Sequence, residues 1–337
     1  FPTNSLSYHT RLVQNLVRVR SFFRSKTDDE ILSMPLMTDP KKIMVLDLLM
    51  CNAYQNYYMG NEIGFLNATL MMLVTTLKYG ICGLSATSLS GFALVCNNLN
   101  DMEGAYRFCD LARLTLEQVQ RNDMGCLQFF VAAHWIHGWR EPHDKVLLTY
   151  ERAYRSGMEC GDFENGLLSK TALYNHEYTC GADLVTLNEK FNDLVDTLEK
   201  KKVRSILVMT VEQHRKVQHL TGVVTPPLDK AALGKFGPVK NDNSETYHLL
   251  YGYLTRLELG VYFGDYDFAR KMAKKLIPLS QFDKSYTTNS LRLFFASIAY
   301  AILARKCPPG RQRRSYLSKA NTRYKELCRL CEIKGMN

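Results

Sequence analysis

Apolar residues recur along this chain at three- and four-residue spacing almost from end to end, and strand-like alternation is nearly absent. That period lays one apolar stripe on each helix, and the stripes have to be buried against one another. The expected fold class is therefore all-α. Met102–Val119 shows the pattern. Ala105, Phe108, Ala112, Leu116 and Val119 form one stripe, while Glu103 and Arg107, four apart in the favourable order, sit on the polar side. Asp101 stands before the first turn, where its carboxylate can accept the free N–H groups.

The punctuation between helices repeats. Asn100-Asp101-Met102-Glu103-Gly104-Ala105 opens one helix, Gly161-Asp162-Phe163-Glu164-Asn165-Gly166 a second, and Gly264-Asp265-Tyr266-Asp267-Phe268-Ala269 a third. Gly or Asn ends the preceding helix in a left-handed turn, Asp caps the next, and the small residue lets the two helices of a hairpin approach closely. Breaks are expected near Gly60, Gly80, Asn100, Arg121, Glu141, Gly161, Gly181 and Lys201, about 20 residues apart. A hairpin of two such helices takes about 40 residues, close to the period of tetratricopeptide-like (TPR-like) arrays. The strict tetratricopeptide consensus is absent, so the repeats are degenerate. The expected architecture is a right-handed α-solenoid of roughly six to seven hairpins.

Four segments are expected: a basic helix and Pro-containing linker over 1–40, a hairpin array over 41–220, an irregular loop over 221–244, and further hairpins with a basic terminal helix over 245–337. The loop is signalled by Gly222, Pro226, Pro227, Gly234, Gly237, Pro238 and the polar run Asn241–Ser244. Cys307-Pro308-Pro309-Gly310 marks a shorter break. The chain opens on Phe1 rather than Met, and we expect it to start inside a longer protein or after a processing site. The acid-free basic stretch Ser5–Lys26 mimics a transit peptide, but a basic amphipathic helix at the edge of the array explains it as well.

The residue balance, 46% hydrophobic and 23% charged, is that of a globular chain. No apolar run reaches the roughly 18–20 residues that a membrane span needs. The ten cysteines mostly lie within helical patterns, where they pack as small hydrophobes, and this points to a reducing, cytoplasmic setting. The net charge of +10 is local: ten basic and two acidic residues lie between Ala301 and Asn337, leaving 33 basic and 31 acidic residues elsewhere.

Candidate chemistry is sparse. His134 and His137 share a helix face and, with His143 and Cys126 nearby, are candidate zinc ligands. Trp135, Trp139 and Pro142 surround them, and no fourth ligand has convincing spacing, so packing is favoured and no metal is assigned. Cys328 and Cys331 form a lone CxxC inside a predicted helix, without the strand-to-helix setting of a redox motif. Gly234-Lys235 and Gly237-Pro238-Val239-Lys240 do not make a phosphate loop. No catalytic residue and no cofactor is expected. The terminal helix Arg313–Cys331 carries Leu317, Ala320, Tyr324, Leu327 and Cys331 on one face and basic residues elsewhere. Nucleic acid and an anionic membrane are weighed as its partners and set behind a protein partner.

Longer blocks carry a resemblance. Asp29-Glu30-Ile31-Leu32-Ser33-Met34-Pro35-Leu36-Met37-Thr38-Asp39-Pro40 resembles a D-x-L-x-L-P-x-M-T-D-P block. Leu77-Lys78-Tyr79-Gly80, Asp101–Phe108, Trp139-Arg140-Glu141-Pro142 and Ala153–Asp162 continue the likeness in order and spacing. The family is that of large multidomain signalling proteins with an AAA/STAND-type ATPase module, often with a serine/threonine kinase domain before it and GAF and histidine-kinase modules after it. The likeness runs from Ser21 to Asn337, and the chain resembles the helical region between the ATPase and the output modules. It departs from the pattern at His137-Gly138-Trp139, where the family often has an extra polar residue, and at Gly166, where the small residue comes late.

The resemblance implies a non-catalytic scaffold that couples an input to neighbouring ATPase and kinase/GAF modules, or to a protein partner. Tyr54, Tyr57, Tyr58, Trp135, Trp139, Tyr174, Tyr178, Arg311, Arg313 and Arg314 are its candidate interaction surface. The rivals are a metal-binding enzyme built on His134, His137 and His143, and a nucleic-acid-binding solenoid using the basic C-terminal helix.

Overall fold

The computed structural model describes residues 6–223, 243–280 and 283–334. Among the described residues the fold is all-helical, with 83% of them in helix. Among the described residues the only strand-like pairing is one isolated parallel bridge, Leu36 to Ile81. The expected loop at 221–244 lies largely outside the described residues, as do Gly234, Lys235 and Gly237–Lys240 of the weighed phosphate loop.

The helices follow in chain order: α1 (Leu6–Ser25), α2 (Asp28–Leu32), α3 (Pro40–Tyr58), α4 (Glu62–Tyr79), α5 (Gly83–Asn98), α6 (Met102–Gln118), α7 (Gly125–Val131), α8 (His143–Cys160), α9 (Phe163–Thr179), α10 (Leu184–Lys200), α11 (Arg204–Leu220), α12 (Asn243–Tyr262), α13 (Tyr266–Leu276), α14 (Tyr286–Lys306) and α15 (Arg311–Lys334). A π-helical turn, Ala132–Ile136, and a 3₁₀ turn, His137–Trp139, join α7 to α8.

The stop signals fall where the sequence places them. Gly60, Asn100, Gly161, Gly181 and Gly264 all have left-handed φ. Each stop is followed by a cap. Asn61 accepts from the Gly64 amide at 3.1 Å, Asp101 from Gly104 at 3.0 Å, Asp183 from Thr186 at 2.7 Å and Asp265 from Phe268 at 3.0 Å. Two further left-handed residues, Gln120 and Lys202, stand beside the expected breaks at Arg121 and Lys201. Close approach follows too: a β-carbon on Gly157 would lie 2.7 Å from the Gly166 Cα.

Two compact units emerge, and the chain passes between them three times: within the His137–Trp139 turn, inside α8 and inside α9. The first comprises 1–137 and 148–166, the second 138–147 and 167–337. The units do not part at the loop expected over 221–244, because α11 and α12 pack together in the second unit. Nor does the N-terminal helix stand apart: α1 packs on α4, with Val19 and Phe23 buried.

In the first unit, α5 packs on α4 and α6, and α3 on α4 and α5. Phe108 takes Phe23 at 4.9 Å and Phe92 at 4.8 Å, edge to face. The stripe read on α6 is buried at Ala105, Phe108, Ala112 and Leu116. Arg107 does not serve as a simple partner of Glu103. Its guanidinium donates to Asp28 at 2.7 Å and to the Phe23 and Lys26 carbonyls, tying the α1–α2 corner to α6. In the second unit, α11 packs on α10 and α12, α13 on α12 and α14, and α15 on α14. Leu250, Leu254, Leu257, Leu276, Phe295 and Ala299 form its core. The apolar face expected on α15 is only partly covered: Ala320 is buried, whereas Leu317 and Tyr324 are exposed.

No helix is long and apolar enough to cross a membrane among the described residues.

Candidate functional site

The second unit holds an apolar groove of about 350 Å³. Tyr178 comes from α9, Leu184 from α10, Leu220 from α11, Tyr262 from α12, and Phe294 and Phe295 from α14. Phe294 and Tyr262 remain 48% and 53% exposed, which leaves the mouth lined by aromatic surface.

Beside the Tyr178 wall, the interior is charged rather than apolar. Lys216 on α11 and Glu258 on α12 meet at 3.2 Å, both fully shut off from water. The Lys216 ammonium also sits 3.9 Å from the centre of the Tyr178 ring. Burial pushes the Glu258 carboxyl up and the Lys216 ammonium down, and the charge of each partner pulls the other back. Burial, and then the neighbouring Glu258, drives the Tyr178 phenol well above its usual range. Glu258 Oε2 and the Tyr178 hydroxyl lie side by side without completing a hydrogen bond of good geometry.

One turn earlier on α11, Glu212 gathers a second set. Arg256 donates at 2.7 Å and Arg215 at 2.8 Å, and His248 lies at 3.4 Å. Gly252 leaves room for the Arg256 guanidinium, which also donates to the Gly252 carbonyl at 2.7 Å. Burial alone would raise the Glu212 carboxyl; the His248 hydrogen bond and the Arg256 and Arg215 charges outweigh it and hold the carboxyl at about 2. A carboxyl lowered by folding stabilises the folded state above its unfolded value and loses that contribution as pH falls through the folded one. Acid titration of the second unit should therefore show stability declining from about pH 4.3 down towards pH 2, by on the order of 3 kcal/mol. Glu212→Gln should flatten that decline when unfolding is followed by urea at successive pH values. An unchanged acid limb would mean that Glu212 is not the group responsible.

The sequence-predicted residues fall into different settings. Tyr57 lies at the centre of an aromatic group in the first unit, 5.9 Å from Tyr58, 5.7 Å from Phe65 and 6.0 Å from Trp135. Tyr58 is exposed, and Tyr54, Tyr57 and Trp135 are half-buried. In the second unit Trp139 and Tyr174 are core residues, Trp139 packed on Tyr286 at 5.2 Å and Tyr174 on Phe191 at 5.4 Å, so neither offers a surface. Tyr178 lines the groove. Arg311, Arg313 and Arg314 are exposed at the start of α15.

The histidines are divided as well. In the first unit His134 Nδ1 meets the Tyr150 hydroxyl at 2.9 Å and stacks on Phe130, His137 stacks on Tyr106, and Cys126 is buried. His143 belongs to the second unit, where its Nδ1 lies 3.2 Å from His176 Nε2. Sequence reasoning reaches neither His176 nor Cys180. Their four-residue spacing on one helix face is a visible signal, but the third member stands 33 residues before His176.

Comparison with protein-family models, with curated proteins and with solved structures finds no match to this chain.

Proposed function

We propose that this chain is a non-catalytic binding and positioning segment: a TPR-like α-solenoid that couples an input to neighbouring ATPase and kinase/GAF modules of a multidomain cytoplasmic signalling protein. The observation that carries this reading is the recurrence of one hairpin grammar, a left-handed stop followed by a capping Asp or Asn, at Gly60-Asn61, Asn100-Asp101, Gly161-Asp162 and Gly264-Asp265. Consecutive helices pack as neighbours from α3 to α7 in the first unit and from α10 to α15 in the second, and α3 also reaches α5 as α12 reaches α14, the nearest-neighbour pattern from which stacked repeats are built. The open aromatic groove at Tyr178, Tyr262 and Phe294 supplies a receptive surface of the size that small ligands and anchoring side chains occupy. A partner seated there would displace water from aromatic faces and bias small rotations between neighbouring hairpins.

The test is the size of the native protein, read by immunoblot with an antibody raised against this segment. A band several times larger than 38.7 kDa is expected, with ATPase or kinase modules on the same polypeptide. A band near 38.7 kDa would overturn the coupling reading and leave a free-standing adaptor.

A further inference from the structure

Three nitrogen and sulfur donors converge where α8 begins and α9 ends. His143 is the first residue of α8, His176 lies in the last turn of α9, and Cys180 follows directly after it. Their donor atoms, two imidazole nitrogens and one thiol sulfur, all lie within 4.8 Å of one another. We propose that His143 Nδ1, His176 Nε2 and Cys180 Sγ form a zinc site with its fourth position open to solvent.

The geometry fits that ion. Tetrahedral zinc holds nitrogen at about 2.0–2.1 Å and sulfur at about 2.3 Å, which sets nitrogen ligands about 3.4 Å apart and nitrogen and sulfur about 3.6 Å apart. The two imidazole nitrogens already stand 3.2 Å apart. The thiol needs a shift of about 1.2 Å at most to complete the set, within reach of a rotamer change at an exposed cysteine. A simple hydrogen bond between two imidazoles would account for His143 and His176 but gives no role to the sulfur.

The backbone presents the pair on α9 in a fixed register. The Cys180 amide donates to the His176 carbonyl at 3.0 Å, so helical geometry continues to the cysteine and places its side chain one turn above the histidine. Glu177, the carboxylate nearest in sequence, is held by Lys190 at 2.9 Å. Tyr286 stands 6.2 Å from the His176 ring and is itself packed on Trp139, an apolar wall of the kind that shields a ligating imidazole. His176 is buried, whereas His143 and Cys180 are exposed, and this gives the ion an entry path.

Two imidazoles and a thiolate without a carboxylate suit zinc and exclude the hard cations calcium and magnesium. On binding, the Cys180 thiol gives its proton to solvent, and the imidazole that donates the His143–His176 hydrogen bond moves that proton through solvent to its other ring nitrogen, so both imidazoles ligate neutral and the hydrogen bond is exchanged for two metal–nitrogen bonds. This proposal is independent of the coupling reading, and either can fail alone.

The test uses the full chain, stripped with a chelator and titrated with cobalt(II) and then with zinc. One equivalent of cobalt should bind with a thiolate-to-cobalt charge-transfer band in the near ultraviolet, and one equivalent of zinc should displace it. Cys180→Ser should abolish the band, and His143→Ala should weaken zinc binding at least about tenfold. Both positions are exposed, and far-ultraviolet circular dichroism confirms that the variants remain helical. Cys160→Ser, at an exposed cysteine of the first unit, should leave the band intact. Absence of stoichiometric binding by the unaltered chain, or a charge-transfer band that survives Cys180→Ser, would overturn the site.

Discussion

Lys216→Met should lower the unfolding free energy by about 3–5 kcal/mol, because it strands the fully buried Glu258 carboxylate, whose ion pair among the described residues is with Lys216. Methionine fills nearly the same volume, so the loss does not come from a cavity. The stranded carboxyl has one escape, which is to take up a proton. Burial already raises Glu258 in the intact protein, and removing the ammonium raises it further. A carboxyl whose folded value is raised contributes its stability below the unfolded value and loses it as pH rises through the folded one. The penalty of Lys216→Met relative to the unaltered chain should therefore be small near pH 4 and grow as the solution is made neutral. Adding Glu258→Leu removes the stranded charge and should recover most of the loss, leaving a coupling energy of several kcal/mol in the double-mutant cycle. Urea unfolding of the four proteins at two pH values measures it. If the single and double variants are equally destabilised at neutral pH, the pair is not what holds α11 to α12.

The same pair shows where the sequence stops being informative. Arg215 and Lys216 are adjacent and chemically alike, yet the Arg215 side chain is 50% exposed and that of Lys216 3%. Only the partner on α12, 42 residues later, decides between them. Local signals travel well: Asn100-Asp101, Gly161-Asp162 and Gly264-Asp265 mark stops and caps because the physics of a left-handed turn and a capping carboxylate is contained in a few neighbouring residues. At Gln120 and Lys202 the same left-handed geometry belongs to exposed residues at helix ends closed by backbone hydrogen bonds, Arg121 N–H to the Leu116 carbonyl and Val203 N–H to the Leu198 carbonyl, so the residue type says nothing of it. Trp139 and Tyr174 read as surface aromatics until Tyr286 and Phe191 are seen to cover them. Among the histidines, the spacing of His134 and His137 suggests a pair. The structure instead gives His134 a tyrosine hydroxyl 16 residues on and gives His143 a second imidazole 33 residues on. Helix type and boundaries are local properties of this chain; its charged interior and its donor cluster are tertiary ones.

Gly80→Ala should cost about 3–4 kcal/mol, far beyond the usual change of one hydrogen to a methyl group. Gly80 closes α4 at φ 103° and ψ −179°, a region that residues with a β-carbon essentially do not enter. A β-carbon there would also collide with the Pro35 carbonyl oxygen. That oxygen is already committed: it accepts from the Ile81 amide at 2.9 Å, while the Ile81 carbonyl accepts from the Met37 amide at 2.8 Å. The alanine therefore strains the backbone by about 1–3 kcal/mol and also forces apart a bridge of two hydrogen bonds worth about 1 kcal/mol each. Loss of the bridge frees the Met34–Met37 segment and with it Met37, which is buried against Leu46, Met72 and Leu84. Gly161→Ala is the matched control. Gly161 has φ 80° but open space around its would-be β-carbon, so only the backbone term of about 1–2 kcal/mol applies. Urea midpoints should rank the unaltered chain first, Gly161→Ala next and Gly80→Ala last. Hydrogen exchange in Gly80→Ala should speed up first at Met37 and Ile81. Equal midpoints for the two variants would show that the Pro35–Ile81 bridge carries no stability, and the turn between α4 and α5 would then be an ordinary helix end.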